Sequence, residues 1–187
     1  MLHCCCAPCA SYVVECLVPR YDITLFFYNP NIEPQAEYDK RKNELSNLLM
    51  MASFESDIGL IECEYDNTVF SNAVLSLRGE PEGGLRCRVC FELRLRETAI
   101  KARAGEYDIF ATTLTVSPYK DADLINDIGT NISNELNVEY LPSDFKTNDG
   151  FKRSVELSKR YGLYRQAYCG CICERNLSTK STETEIK

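Results

Sequence analysis

The chain predicts an α/β fold, a parallel sheet covered by helices on both faces, and three observations carry that expectation. Strand-like and helix-like stretches alternate along most of its 187 residues. The strand-like runs are short, apolar and rich in β-branched or aromatic residues, as in Ile23 to Tyr28 and Ile109 to Leu114. Polar residues and cysteines gather just beyond each run, where open parallel sheets bind their ligands.

Taken in order, Leu2 to Cys5 reads as a first strand, short against the usual length of about five residues. Pro8 suits a first helical position and opens a helix to Leu17. The second strand, Ile23 to Tyr28, stops at Asn29-Pro30-Asn31, and a charged amphipathic helix runs from Glu33 to Met51. Ile58 to Tyr65 is a third strand and Thr68 to Leu77 a third helix. The turn-rich GEPEGG of Gly79 to Gly84 then precedes a helix from Arg88 to Ala104, ended by Gly105. Ile109 to Leu114 (strand), Ala122 to Leu136 (helix), Val138 to Leu141 (strand) and Phe151 to Tyr161 (helix) complete the alternation. Serine, threonine and lysine dominate after Leu177, so residues 177–187 read as a disordered tail to one domain over 1–176.

Five strand ends then place polar groups on one rim. They are Cys5-Cys6, Asn29 with Asn31, Asp66-Asn67, Thr112-Thr113 with Ser117 to Lys120, and Asp144 to Lys146.

The hydrophobic share of 44% is that of an ordinary globular domain, and no run approaches the roughly 18 apolar residues of a membrane helix. No signal peptide precedes the functional-looking residues that begin at His3, so the expected compartment is the cytoplasm, where a disulfide framework is unusual. A net charge of −7 argues against a general nucleic-acid binder but leaves room for a local basic surface. Basic residues crowd two segments, Arg86 to Arg103 and Lys152 to Arg165, and the plainest reading of these is two solvated helix faces.

The eleven cysteines carry the chemistry. Cys4, Cys5, Cys6 and Cys9 stand at the start, Cys87 and Cys90 mid-chain, and Cys169, Cys171 and Cys173 near the end; Cys16 and Cys63 stand alone and read as structural. Thiolates brought together from remote segments bind soft metals or exchange electrons. Cys87 and Cys90 share one face at a helix N-terminus, which favours thiolate and bound negative charge. Adjacent Cys5 and Cys6 can face one cofactor only if the strand has ended, as Ala7-Pro8 suggests. Cys4 and Cys9 read as small buried residues. The Cys169-Gly170-Cys171 turn could close a strained, readily exchanged disulfide or ligate metal. Cys6-Ala7-Pro8-Cys9 also permits a thioredoxin-like thiol oxidoreductase. Four cysteines could equally hold a purely structural zinc. No phosphate-binding loop and no GxGxxG is present, so ATP-driven chemistry has no support. With His3 the only histidine, His-based zinc hydrolysis and Ser-His-Asp catalysis are implausible.

The ordered strings LHCCCAPCA, FFYNPNIEPQAEYDKRKNEL, RCRVCFELRLRETA, FATTLTVSPYKDADLI, YLPSDFK and LYRQAYCGC resemble the QueH family, the cobalamin-independent epoxyqueuosine reductases, over residues 2–175. The resemblance implies a HUP-like, Rossmann-like fold. It also implies two-electron removal of the epoxide oxygen of epoxyqueuosine at the tRNA wobble position, the last step of queuosine synthesis. Carried over by position, Cys5, Cys6, Cys87 and Cys90 would hold a [4Fe-4S] cluster, and Cys169 with Cys171 would form a redox-active pair. Cobalamin, flavin and ATP are not expected. The partners implied are tRNA carrying epoxyqueuosine and an electron donor the sequence does not identify. Cys4 gives a triple cysteine where the family usually has serine or threonine, Cys173 is an extra thiol, and Thr147 stands where a second lysine is common.

A cluster with four protein thiolates leaves no open iron for substrate. Either one cysteine does not ligate, or an acid such as Asp66 or Asp144 replaces it, or a second iron lies alongside. Substrate contacts are expected from Tyr28, Asn29, Asn31, Asp66, Ser117, Tyr119, Lys120, Asp144, Lys146 and Arg165. Arg86, Arg88, Arg94, Lys152, Arg153 and Arg165 are candidates for phosphate, and Tyr164 and Tyr168 for stacking on a splayed base.

Overall fold

The computed structural model describes residues 1–52, 54 and 57–171, so the expected tail and Cys173 lie outside the described residues. Strands β1 (Leu2–His3), β2 (Thr24–Phe27), β3 (Gly59–Glu62), β4 (Ile109–Thr112) and β5 (Glu139–Tyr140) form one sheet in the order β3-β2-β1-β4-β5. Every pairing is parallel, and Leu2 stands between Leu25 and Ala111. The helices are α1 (Ala7–Leu17), α2 (Gln35–Met51), α3 (Thr68–Ala73), α4 (Leu85–Ala104), α5 (Ala122–Leu136) and α6 (Gly150–Arg160). None of the described helices is long and apolar enough to cross a membrane.

Alternation along β2 divides the core. Leu25 and Phe27 pack with Val13 and Val14 of α1 and Leu45 and Leu48 of α2, while Phe26 turns to the other face with Phe91, Leu95 and Ala99 of α4 and Ile125 and Ile128 of α5. Helix α6 covers α1 from outside.

The expected alternation of elements is met throughout, with two informative shifts. Helix α4 begins three residues earlier than Arg88, because Gly84 caps it and the Glu80 carboxylate accepts the Leu85 amide at 3.2 Å. The third helix breaks after Ala73 into a 3-10 turn at Leu75–Leu77. Strand β1 is central despite its two residues. Its ladder is extended by Ala111 N–H to Met1 O, Thr113 N–H to His3 O and Cys4 N–H to Phe26 O. The chain steps outward from β1 to β2 and β3, then returns to β4 on the other side. The switch point therefore lies at the carboxyl ends of β1 and β4.

Candidate active site

Two adjoining cavities open at that switch point. The larger, about 340 Å³, is lined by Cys5, Cys9, Thr113, Ser117, Phe151, Arg165, Gln166 and Tyr168 among others. The smaller, about 40 Å³, lies between Asn31, Arg86, Cys87, Cys90 and Cys171. Glu82, Arg94, Tyr119, Lys120 and Cys169 line both, so the three cysteine motifs share one site.

The first motif splits by direction. Cys4 still belongs to the ladder, and its side chain enters the core beside α1 and α2. The strand has ended by Cys5, and Cys6 caps α1 in extended backbone with Pro8 in the first turn. That corner brings the sulfurs of Cys5, Cys6 and Cys9 within 4.8 Å of one another, with Cys5 and Cys6 3.9 Å apart. Three close thiols share a charge unequally. Hydrogen bonding with Cys6 and then Cys9 holds the Cys5 thiol well below its ordinary value, against burial and with help from the cations Lys120 and Arg94. Hydrogen bonding with Cys5 pushes the Cys6 thiol up to about 12, and Cys9 rises for the same reason. His3 lies behind them, fully buried, with Nδ1 2.9 Å from Thr112 Oγ1 and Nε2 3.2 Å from the Tyr28 carbonyl. Burial and then Arg94 lower it to about 4, so it is a neutral supporting group.

Cys87 and Cys90 occupy the first two turns of α4. The Gly83 amide donates to Cys87 Sγ at 3.3 Å. Burial pushes the Cys90 thiol up, and Arg94, one turn on, opposes that shift. Arg94 donates to the Cys90 carbonyl at 3.3 Å and to Asn29 Oδ1 at 3.4 Å.

The Cys169-Gly170-Cys171 loop is gripped from α2 and the β2–α2 connection. Buried Arg41 donates to the carbonyls of Tyr168 and Cys169, both at 3.1 Å, while its Nε meets Glu37 at 2.7 Å. The Glu33 amide donates to Gly170 O at 2.9 Å, and Tyr168 Oη donates to Glu33 O. Gly170 has φ +117, and a Cβ there would stand 2.8 Å from Ile32 Cγ1, so the loop needs glycine. Cys171 packs beside Cys90, and Cys169 faces both cavities.

Of the other expected contacts, Asn31, Ser117, Tyr119, Lys120, Arg165 and Tyr168 line the cavities. Asn29 lies one layer behind, bonding the Cys4 carbonyl and Arg94. Lys146 braces the rim by donating to Lys120 O at 3.0 Å and pairing with Asp144 at 3.7 Å; neither residue lines either of these two cavities. Asp66 is exposed just before α3, where its carboxylate accepts from the Thr68 amide and hydroxyl, and these bonds hold its carboxyl below the usual value. Tyr28 stacks on Phe26, and Tyr164 is engaged by Glu37 and Lys40. Arg153 pairs with Glu15 and Glu156 on the outer surface. Cys16 is exposed on α1, so it has no packing role there, and Cys63 is half-buried beside Tyr38.

Thr113 lines the larger cavity from the strand end where the sequence placed it, whereas sequence reasoning missed Cys9, Phe151, Gln166 and Arg41. Only Cys9 carried a signal, standing three residues after Cys6 in a helix opening. Phe151 forms one wall beside Arg165, whose guanidinium lies 5.5 Å from its ring centre.

Four buried polar atoms of the described residues lack hydrogen-bond partners: Asn31 Oδ1, Arg86 Nη2, Thr113 Oγ1 and Gln166 Oε1. All four residues line these two cavities. Buried polar groups are nearly always satisfied, so orphans gathered in one place mark a position for a bound group. Soft thiolates beside buried cations suit an anionic, sulfur-ligated metal group.

A parallel α/β sheet with three cysteine motifs meeting at its switch point is the frame of a protein able to hold a metal or to exchange electrons through thiols. The family model described as Epoxyqueuosine reductase QueH matches residues 1–176. Proteins named Epoxyqueuosine reductase QueH from Streptococcus pyogenes serotype M1 and Staphylococcus epidermidis are each 43% identical to the chain, over 92% of it and over 68% and 74% of their own lengths. The Thermotoga maritima protein of that name is 34% identical over 92% of the chain and 88% of its own length. The chain belongs to the QueH family and is an oxidoreductase.

Proposed function

We propose that the chain reduces epoxyqueuosine in tRNA to queuosine, using a [4Fe-4S] cluster and the Cys169–Cys171 pair. The observation that carries this reading is the meeting of three cysteine motifs, two cavities and all four orphaned polar atoms at one rim in a member of this family. The overall change is epoxide plus two electrons and two protons to alkene plus water. Oxidising one dithiol to a disulfide supplies both electrons and both protons. Cys169 lines both cavities and Cys171 packs against Cys90, a placement that supports electron relay between a metal group and a substrate in the larger space.

Cys5, Cys6, Cys87 and Cys90 would hold the cluster. Bound there, it would supply single-electron transfer and, at an open iron, a Lewis acid for the epoxide oxygen. Cys9 adds a thiol to the three ligand alternatives, and Asp66 and Asp144 are less well placed for that role than Cys9. Lys120, with Ser117 and Arg165, would meet the polar substituents and phosphates of the substrate, and Phe151 and Tyr119 offer aromatic faces to a splayed base. The electron donor is a reductant from outside the chain, and the setting is the cytoplasm.

The test is anaerobic turnover of an epoxyqueuosine-containing anticodon stem-loop, read by mass spectrometry as loss of one oxygen. Wild type should convert it, and Cys169→Ser and Cys171→Ser should abolish multiple turnover. Alkylation mapping that finds neither cysteine redox-active would sink the electron-relay role.

One observation favours a second reading. The mutual approach of Cys5, Cys6 and Cys9 suits three ligands of a single tetrahedral ion, as in a zinc site, whereas ligands of a cubane bind different irons and stand further apart. Metal and sulfide analysis separates the two.

A further inference from the structure

Three arginines are almost fully buried, Arg41, Arg86 and Arg94, and they are not equivalent. Burying a guanidinium is costly unless an anion or a full set of acceptors compensates it. Arg41 has both, with Glu37 on Nε and two carbonyls on the fork. Arg86 and Arg94 pair with no carboxylate of a described residue. Arg86 donates from Nη1 to the Glu80 carbonyl, and its Nη2 has no acceptor. Among the described residues, Arg94 meets a carbonyl and an amide oxygen, at 3.3 and 3.4 Å, and the Cys90 thiol. Both line the small cavity with Cys87, Cys90, Cys169 and Cys171, and Arg94 also reaches the larger cavity beside Cys5. Glu82 and Asp121 line the small cavity too, Asp121 turned to the Leu124 amide, but three cations, Arg86, Arg94 and Lys120, stand against them, so the cations facing thiols there call for further negative charge.

We propose that Arg86 and Arg94 are the built-in counter-charges of the anionic iron–sulfur group at this site, and that they raise its reduction potential. The inference rests on the cluster reading of the preceding subsection. A cluster gains negative charge when it accepts an electron, and a fixed cation in a buried, low-dielectric setting stabilises the reduced state more than the oxidised one. Arg86 Nη2 is the donor left over for a cluster or thiolate sulfur, and Arg94 lines the larger cavity with Cys5 and the smaller with Cys90, so it faces both sides. Both are positioning and tuning residues; neither needs to touch the substrate.

The test is the midpoint potential of the anaerobically reconstituted full chain, followed by optical or EPR titration. Arg94→Gln and Arg86→Gln should each disfavour reduction by about tenfold, a move of about 59 mV to more negative potential for one electron. Arg94→Lys and Arg86→Lys, which keep the charge, should stay closer to wild type than the glutamine variants. Arg96→Gln, exposed on the same helix and paired with Glu135, should leave the potential unchanged. Glutamine and lysine variants with the wild-type potential and wild-type iron content would overturn the proposal, as would lysine variants shifted as far as glutamine. Wild-type protein that takes up no iron and sulfide is a different result, and it refutes the cluster reading itself.

Discussion

Replacing Gly170 by alanine perturbs the Cys169-Gly170-Cys171 loop and little else. At φ +117 a side chain costs about 1–3 kcal/mol in backbone strain. The new methyl would also meet Ile32 Cγ1 at 2.8 Å, Ile32 Cα at 3.2 Å and Asn31 Nδ2 at 3.3 Å, and crowding a packed site adds about 1–3 kcal/mol. A net penalty of about 3 kcal/mol on the native loop conformation reduces its population roughly 100-fold relative to displaced ones. Displacement breaks the Glu33 amide bond to Gly170 O and pulls the Tyr168 and Cys169 carbonyls off Arg41. The sheet and both core faces do not depend on this loop. Gly170→Ala should therefore lose turnover by about one to two orders of magnitude, and buried Cys171 should become open to alkylation. The cooperative thermal transition should stay in place. Wild-type turnover with Cys171 still protected would refute the reasoning.

Cys9→Ser should lower the metal retained after desalting, by elemental analysis, while Cys16→Ser on the exposed side of α1 should not. Gly129→Ala puts a methyl 2.4 Å from the Tyr140 ring, which Asn126 anchors through the hydroxyl, and should destabilise the fold by about 1–3 kcal/mol in denaturant unfolding. Burial raises the Tyr140 phenol above its ordinary value of 10.0. The unfolded chain loses that proton first, so this contribution to stability is intact below about pH 10 and lost as pH rises further. Tyr140→Phe should accordingly show a shallower alkaline decline in stability than wild type.

The fold was largely legible because hydrophobic period and punctuation agreed. Asn29-Pro30 ended β2, Gly105 ended α4, and Pro8 opened α1. The strand-end rule then placed Cys5, Asn31, Ser117 and Lys120 on one rim without knowledge of strand order. Its misplacements have local causes. Asp66 and Asp144 follow the outer strands β3 and β5, away from the switch point, and their oxygens are taken by nearby groups, Thr68 and Lys146. Tyr164 read as a stacking residue because composition cannot show which side of a loop faces the cavity. Arg86 and Arg94 were legible as members of a basic segment and candidates for phosphate, and Arg41 only as part of a charged amphipathic helix; their burial follows from tertiary packing, which one sequence does not display. Cys9 was hidden by Cys6, since an extended cap at Cys6 is what folds Cys9 back onto Cys5.

The most direct test of the central claim is iron, zinc and acid-labile sulfide analysis with the visible spectrum of the anaerobically reconstituted chain. The account predicts about four irons and four sulfides per chain, with a broad absorption near about 400 nm that bleaches on reduction. One tightly held zinc, no sulfide and a colourless protein would contradict it.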